Sequence, residues 1–245
     1  MRRTVTRDQK GVMQWLAKLR AQRGRAIQAN LDQCPATLAT LSRRLKLLAQ
    51  NSRDILLLGD DDLLGLAVAA TRARSRIVIL DADKNLLRFI QQYAPDAVIE
   101  LVKQDLRKGL PHSLYYRFDD VFTDPPYTLA GQLLFVQRGM LALRAATEVR
   151  LFLCASPSYL TQDQFNIVRL FLARGGFRLE VSYRNFNRYR APSDVSRDLK
   201  QKGRRNTTWL ESDLLRYVRE RSAPVPHLPP GTLARIYSYD DPPPT

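Results

Sequence analysis

Three consecutive carboxylates, Asp60-Asp61-Asp62, follow Gly59 and a short apolar run, and acids recur behind later apolar runs. These are Asp81 and Asp83, the pair Gln104-Asp105, and Asp124 in the stretch Asp124-Pro125-Pro126-Tyr127. Grouped carboxylates repel anions and attract cations, since two like charges about 4 Å apart cost about 4 kcal/mol at an effective dielectric of 20. They also raise one another's pKa values, which turns one of them into a proton acceptor suited to neutral pH. The chemistry they can do is removal of a proton from an amine, beside a ligand held by its positive charge. Each acid taken singly is equally well a helix N-cap. Four successive positions of the same kind are harder to explain that way.

The elements that must hold these acids alternate along the chain. Apolar runs at Ile55–Leu58, Arg76–Leu80, Ala97–Val102, Asp120–Thr123 and Val149–Cys154 predict strands. Helical periodicity separates them at Leu63–Arg72, around Leu86, Leu87 and Ile90, and at Leu133–Leu143. Parallel neighbours need crossover connections, so the alternation predicts an α/β fold with a doubly wound, mainly parallel sheet. In such sheets ligands bind beyond the carboxyl ends of the strands, where every acid named above falls. Further on, the pattern predicts a helix at Phe165–Arg174, a strand at Phe177–Tyr183, a helix at Leu214–Arg221 and a late strand at Leu233–Tyr239, before an extended Asp/Pro tail. Before the first strand it predicts a basic amphipathic helix over 8–25 and a second helix over 37–50. The expected organisation is a basic helical N-terminal extension, 1–50, and a catalytic domain, 51–245, with a basic loop at about 188–206.

Composition narrows the class. The apolar runs are far shorter than the roughly 20 residues of a spanning helix, and Arg2 and Arg3 lead into no signal-like stretch, so a cytoplasmic protein with no membrane partner is expected. Cys34, Cys154, His112 and His227 are isolated, which argues against a metal site. The formal net charge is +15, with residues 1–50 contributing +9, residues 51–150 contributing 0 and residues 151–245 contributing +6. Basic flanks of this kind suit nucleic acid or are a solvated surface. A homodimer is compatible with all of this.

Gly59 is followed by acids where an S-adenosylmethionine site usually offers several glycines to the anionic methionine carboxylate. Such a loop favours decarboxylated S-adenosylmethionine, which keeps a sulfonium and an ammonium and has no carboxylate. The Asp-Pro-Pro-Tyr element resembles the signature of methyltransferases acting on exocyclic amines of nucleobases. Taken in order, Gly-Asp-Asp-Asp at 59–62, Leu-Asp-x-Asp at 80–83, Asp-Leu-Arg-Lys-x-Leu-Pro at 105–111, Thr-Asp-Pro-Pro at 123–126 and Arg-Asn-Phe-Asn-x-Tyr at 184–189 resemble the branched-chain polyamine synthases, or N(4)-bis(aminopropyl)spermidine synthases. The resemblance covers about residues 31–190. It implies a class I methyltransferase-like (Rossmann-like) fold and transfer of an aminopropyl group from decarboxylated S-adenosylmethionine to a polyamine such as spermidine, with release of methylthioadenosine. By it Asp60 takes the acceptor's proton, with Asp124 as the rival. Gly59, Asp61, Asp62, Asp81, Asp83, Gln104 and Asp105 face the donor, Asp81 or Asp83 holding the ribose. Pro125, Pro126, Tyr127, Asn185, Phe186 and Asn187 line the acceptor side. Two features depart from the family. About 30 residues precede the similarity, so a short form without the family's N-terminal winged-helix-like domain is expected, and Tyr127 stands where members carry Glu. Together with the basic flanks, Tyr127 leaves a second reading open: S-adenosylmethionine-dependent methylation of RNA or DNA amino groups, or a non-catalytic nucleic-acid-binding module on the same fold.

Overall fold

The computed structural model describes residues 8–23, 33–48, 53–71, 76–94, 98–191, 208–234 and 236–237. Helices α1 (Gln9–Arg23) and α2 (Leu38–Leu48) come first, and then strands and helices alternate: β1 (Ile55–Leu58), α3 (Leu64–Thr71), β2 (Ile77–Asp81), α4 (Lys84–Tyr93), β3 (Ile99–Lys103), β4 (Asp120–Thr123), α5 (Leu129–Ala142), β5 (Arg150–Ala155) and α6 (Gln162–Arg174). Two long strands follow, β6 (Phe177–Arg190) and β7 (Trp209–Arg219), and then a 3-10 turn, Thr232–Ala234. The seven strands form one sheet in the order β3-β2-β1-β4-β5-β7-β6. Neighbours from β3 to β5 are parallel, and β7 runs antiparallel to both β5 and β6.

The central strands are short because they are buried on both faces and need no polar alternation. In β1, Leu56 and Leu58 face the layer built by α5 and α6, while Ile55 and Leu57 face α1 to α4. Val12, Leu16 and Leu19 of α1 and Leu41, Leu45 and Leu48 of α2 belong to that second core. Helices α1 and α2 therefore pack against α3 and the sheet. Order reverses between β1 and β4, whose ends align: Leu58 pairs with Leu80 on one side and Thr123 on the other. That reversal opens the crevice in which such folds bind ligands. No described helix is long and apolar enough to cross a membrane.

Three expectations need correction. Residues 214–219 lie in strand β7, where a helix was predicted. Leu214 faces one core and Leu215 and Tyr217 the other, so burial on both faces removes the alternation that marks a half-exposed strand. The late strand over 233–239 is absent among the described residues; Thr232–Ala234 form the 3-10 turn and Ile236 is buried beyond it. Strand β6 extends to Arg190, so the expected basic loop loses residues 188–190, and residues 192–207 lie outside the described residues, as does the tail from 238.

Candidate active site

A cleft opens at the carboxyl ends of β1, β2 and β4. Its floor is Gly59, Asp60 and Asp61, with Asp81, Ala82 and Gln104 on one side and Asp124 and Pro126 on the other. Leu80, Leu106, Phe135 and Tyr237 supply an apolar wall, and Gln33 closes the rim. Gly59 has φ +78°, which turns the chain out of β1 at no steric cost. Gly65, at the start of α3, has no room for a side chain: a Cβ would lie 2.5 Å from Ile79 Cδ1 and 3.0 Å from Asp60 Oδ2.

The three aspartates have three different surroundings. Asp60 caps α3, its oxygens accepting from the backbone N–H groups of Leu64 at 2.7 Å and Gly65 at 3.0 Å. Burial pushes its carboxyl up, against these two bonds and with Asp62 and Asp61 adding to the rise. Asp62 turns away from the cleft, to Arg44 of α2, to Arg20 of α1 at 3.5 Å and to the Ala36 N–H at 2.6 Å. Asp61 projects into the cleft, and no described residue donates a hydrogen bond to its carboxylate; Arg23 instead reaches its backbone carbonyl at 2.5 Å. Burial, then Asp62 and Asp124, push the Asp61 carboxyl up to about 8, with Arg23 opposing. Leu63, two residues on, is a buried leucine at φ +63°, so the loop holds backbone strain next to this group.

The acids behind β2 and β3 divide likewise. Asp81 lines the cleft and accepts from the N–H groups of Asp60 at 3.2 Å and Asp83 at 2.8 Å. Burial raises it to about 6 against those two bonds. Asp83, given as an alternative ligand for the ribose, is buried as the N-cap of α4 and accepts from Asn85 N–H and from Gln33 Nε2 at 3.1 Å. Asp105 caps a 3-10 turn and is paired with Arg107 at 2.6 Å, outside the cleft lining, while Gln104 lines it and donates to the Gly109 carbonyl at 3.0 Å. Burial works to raise Asp105, and the Arg107 bonds outweigh it and hold the carboxyl low.

Asp124 accepts three hydrogen bonds, from Arg44 at 2.7 Å, Tyr189 Oη at 2.7 Å and Tyr127 Oη at 3.0 Å. Burial and then Asp124 itself hold both tyrosines well above their ordinary pKa, so they stay donors. Of the residues expected on the acceptor side, Pro126 lines the cleft beside Asp124. Asn187 is buried against Arg44 Nε at 2.9 Å, and Phe186 packs on Tyr183 and under Arg43. Asn185 sits at φ +48° in a β6 irregularity, its N–H bonded to Asp213. Pro125 and these three residues surround the site without lining the cleft. Sequence reasoning missed Arg44, Arg23, Gln33, Phe135 and Tyr237. Arg44 alone carried a signal: it falls on the apolar stripe of α2, three residues after Leu41 and four before Leu48. Among the described residues no group of three or more His, Cys, Asp or Glu is placed to hold a metal ion.

The model of one protein family, the branched-chain polyamine synthase A C-terminal domain, matches residues 12–216. The N(4)-bis(aminopropyl)spermidine synthase of Thermococcus kodakarensis is 32% identical over 171 residues, which are 64% of this chain and 47% of that one. The enzyme of the same name from Thermus thermophilus is 43% identical over 93 residues, 37% of this chain and 27% of that one. The chain thus spans less than half the length of these curated relatives. The crystal structure of the Thermus thermophilus branched-chain polyamine synthase, in complex with N4-aminopropylspermidine and 5'-methylthioadenosine, superposes with a TM-score of 0.76 at 26% identity, covering 88% of this chain and 65% of that one. The family match runs from α1 into β7 and covers well over half of the chain, and the chain belongs to the family of the branched-chain polyamine synthase A C-terminal domain.

Proposed function

We propose that the protein transfers an aminopropyl group from decarboxylated S-adenosylmethionine to an amine acceptor such as spermidine, releasing methylthioadenosine. One observation carries the reading: Asp61 offers a carboxylate without a described donor at the place where an S-adenosylmethionine site receives the methionine carboxylate. A donor with an ammonium and no carboxylate favours the ionised form of Asp61, whereas the full methionine moiety brings a like charge against it. The ligands in the Thermus thermophilus complex, an aminopropylated polyamine and methylthioadenosine, support the same pair of products.

In this reading the adenosyl part lies along Leu80, Leu106, Phe135 and Tyr237, with Gln104 offering its amide and Asp81 accepting from the ribose hydroxyls. Asp61 takes the acceptor's proton, a task first given to Asp60. Asp60 is committed to capping α3, whereas the Asp61 carboxylate accepts no hydrogen bond from a described residue and is pushed up to about 8 by burial and its acidic neighbours. The freed lone pair attacks the aminopropyl carbon bonded to sulfur, the carbon–sulfur bond breaks toward sulfur, and the sulfonium leaves as a neutral thioether. Asp124 is already met by three donors, and so orients rather than accepts. The test is to incubate the 245-residue chain with spermidine and either donor and to follow methylthioadenosine. Release only from the decarboxylated donor is expected; tighter binding of S-adenosylmethionine itself would overturn the charge argument.

A further inference from the structure

Arg44 does not line the cleft, yet it joins four parts of the chain that surround it. Its side chain is 1% exposed. Nε donates to Asn187 of β6, one terminal nitrogen to Asp62 after β1, and the other to Asp124 after β4 and to Tyr189 at 2.8 Å, with Cys154 Sγ of β5 at 3.5 Å. The Phe122 ring lies under the guanidinium at 5.1 Å. Burial works against the charge, and the Asp124 and Asp62 carboxylates paired with it offset that cost, so Arg44 stays protonated.

The groups around Asp61 come from every neighbouring element. Asp60 and Asp62 share its loop, Asp81 follows β2 and Asp124 follows β4. Arg20 and Arg23 reach in from α1, Arg44 from α2, and Cys34 stands before α2. Tyr127 and Tyr189 bond to Asp124. The two carboxylates that act most strongly on Asp61 are Asp62 and Asp124, and both are ion-paired to Arg44.

Resting on the reading of Asp61 as the base, we propose that Arg44 is a positioning residue that draws Asp62 and Asp124 into one ion-paired cluster and leaves Asp61 as the carboxylate available to the substrate amine. Its positive charge limits the negative potential at Asp61, and its hydrogen bonds keep the other two carboxylates from competing for the ammonium. Asp62 and Asp124 then organise the site, and the triple aspartate acts as one cap, one base and one anchor.

The experiment measures the pH dependence of kcat/KM for spermidine, with decarboxylated S-adenosylmethionine, in the full chain and in R44M, R44K, D62N, R44M/D62N and D61N, with a melting curve for each. Loss of the arginine charge moves the acid-limb midpoint of R44M up by about one pH unit relative to the parent, and R44M/D62N lies above D62N by a similar interval. R44K keeps the parent midpoint with a lower kcat. The R44M/D62N and D62N comparison carries the test if R44M alone does not fold, because the double variant removes charge in a pair. Midpoints that are equal within both comparisons, with only the rate or the melting temperature reduced, would overturn the proposal and leave Arg44 as a structural tie. D61N separates the two readings. If it keeps the acid limb, the base is another group; if it loses the limb while the Arg44 variants do not move it, the base reading stands and the Arg44 inference fails.

Discussion

Replacing Asp61 by Asn tests the site without substrate. Burial, then Asp62 and Asp124, push the carboxyl from its ordinary value of about 3.8 up to about 8 in the folded chain. Between those values the folded protein keeps a proton that the unfolded chain releases, so stability falls as pH rises from about 4 through about 8. At about 1.36 kcal/mol per unit, a rise of about four units corresponds to roughly 5–6 kcal/mol. Asp61 is partly exposed, and solvent screening brings this down to about 1–3 kcal/mol. Asparagine carries no such penalty. In a chain of this size 1 kcal/mol shifts the melting temperature by about 2–4 °C, so D61N is expected to melt about 5 °C above the parent at pH 9 and level with it at pH 4. Calorimetry at pH 4, 6.5 and 9 reads this directly. Aminopropyl transfer should meanwhile fall by about a hundredfold to ten-thousandfold. A melting shift that is the same at all three pH values, or a lower melting temperature at pH 9, refutes the account of Asp61 as a carboxylate pressed toward neutrality by burial and its neighbours.

Other perturbations read other parts of the site. Asp81→Asn should weaken methylthioadenosine binding roughly 10- to 100-fold by calorimetric titration, the value of hydrogen bonds to a charged group; since Asp81 titrates at about 6, parent affinity should also decline below that pH. Gly131→Ala puts a Cβ 2.8 Å from the Pro126 carbonyl and 3.0 Å from that of Ile236, so it should cost about 1–3 kcal/mol and raise the KM for the donor, because Pro126 and Tyr237 both line the cleft. An unchanged KM would show that the contact does not shape the site. Thr161→Ala removes the capping box of α6 and should lower the melting temperature by about 2–4 °C with kcat intact, as α6 contributes nothing to the cleft.

Much of the sheet was legible because apolar runs bounded by acids have few other uses. The limits of β1 and β4 fall where the sequence put them, and the β1, β2 and β4 ends do meet in one cleft. Helix α5 starts a turn earlier than its Leu133 because Thr128 caps it, accepting from the Gly131 N–H. The roles of the acids were less legible. Asp60, Asp83 and Asp105 each precede a helical turn, and only the observed hydrogen bonds show that these three are caps, Asp60 while also lining the cleft, and that Asp61 and Asp81 line it without capping a helix. The partner that diverts Asp62 lies 18 residues upstream, and the partner of the Asp61 carbonyl lies 38 upstream, separations at which no local pattern operates. The same arginines account for part of the basic N-terminal charge: Arg20, Arg23 and Arg44 are turned toward the acidic loop.

The Arg44 cluster also bears on how the chain is made. During synthesis its guanidinium leaves the ribosome long before Tyr189, a partner 145 residues later in the chain. At about 5–20 residues per second that interval is roughly 7–30 s, during which α2 can lie against α3 only by burying a cation whose hydrogen-bond partners are still incomplete. Water is the better host for that group until β6 is in place. Helix α2 is translated early and is thus among the last elements to be locked, and a truncation before residue 187 leaves Arg44 without its Asn187 and Tyr189 bonds, however complete the parallel strands already are.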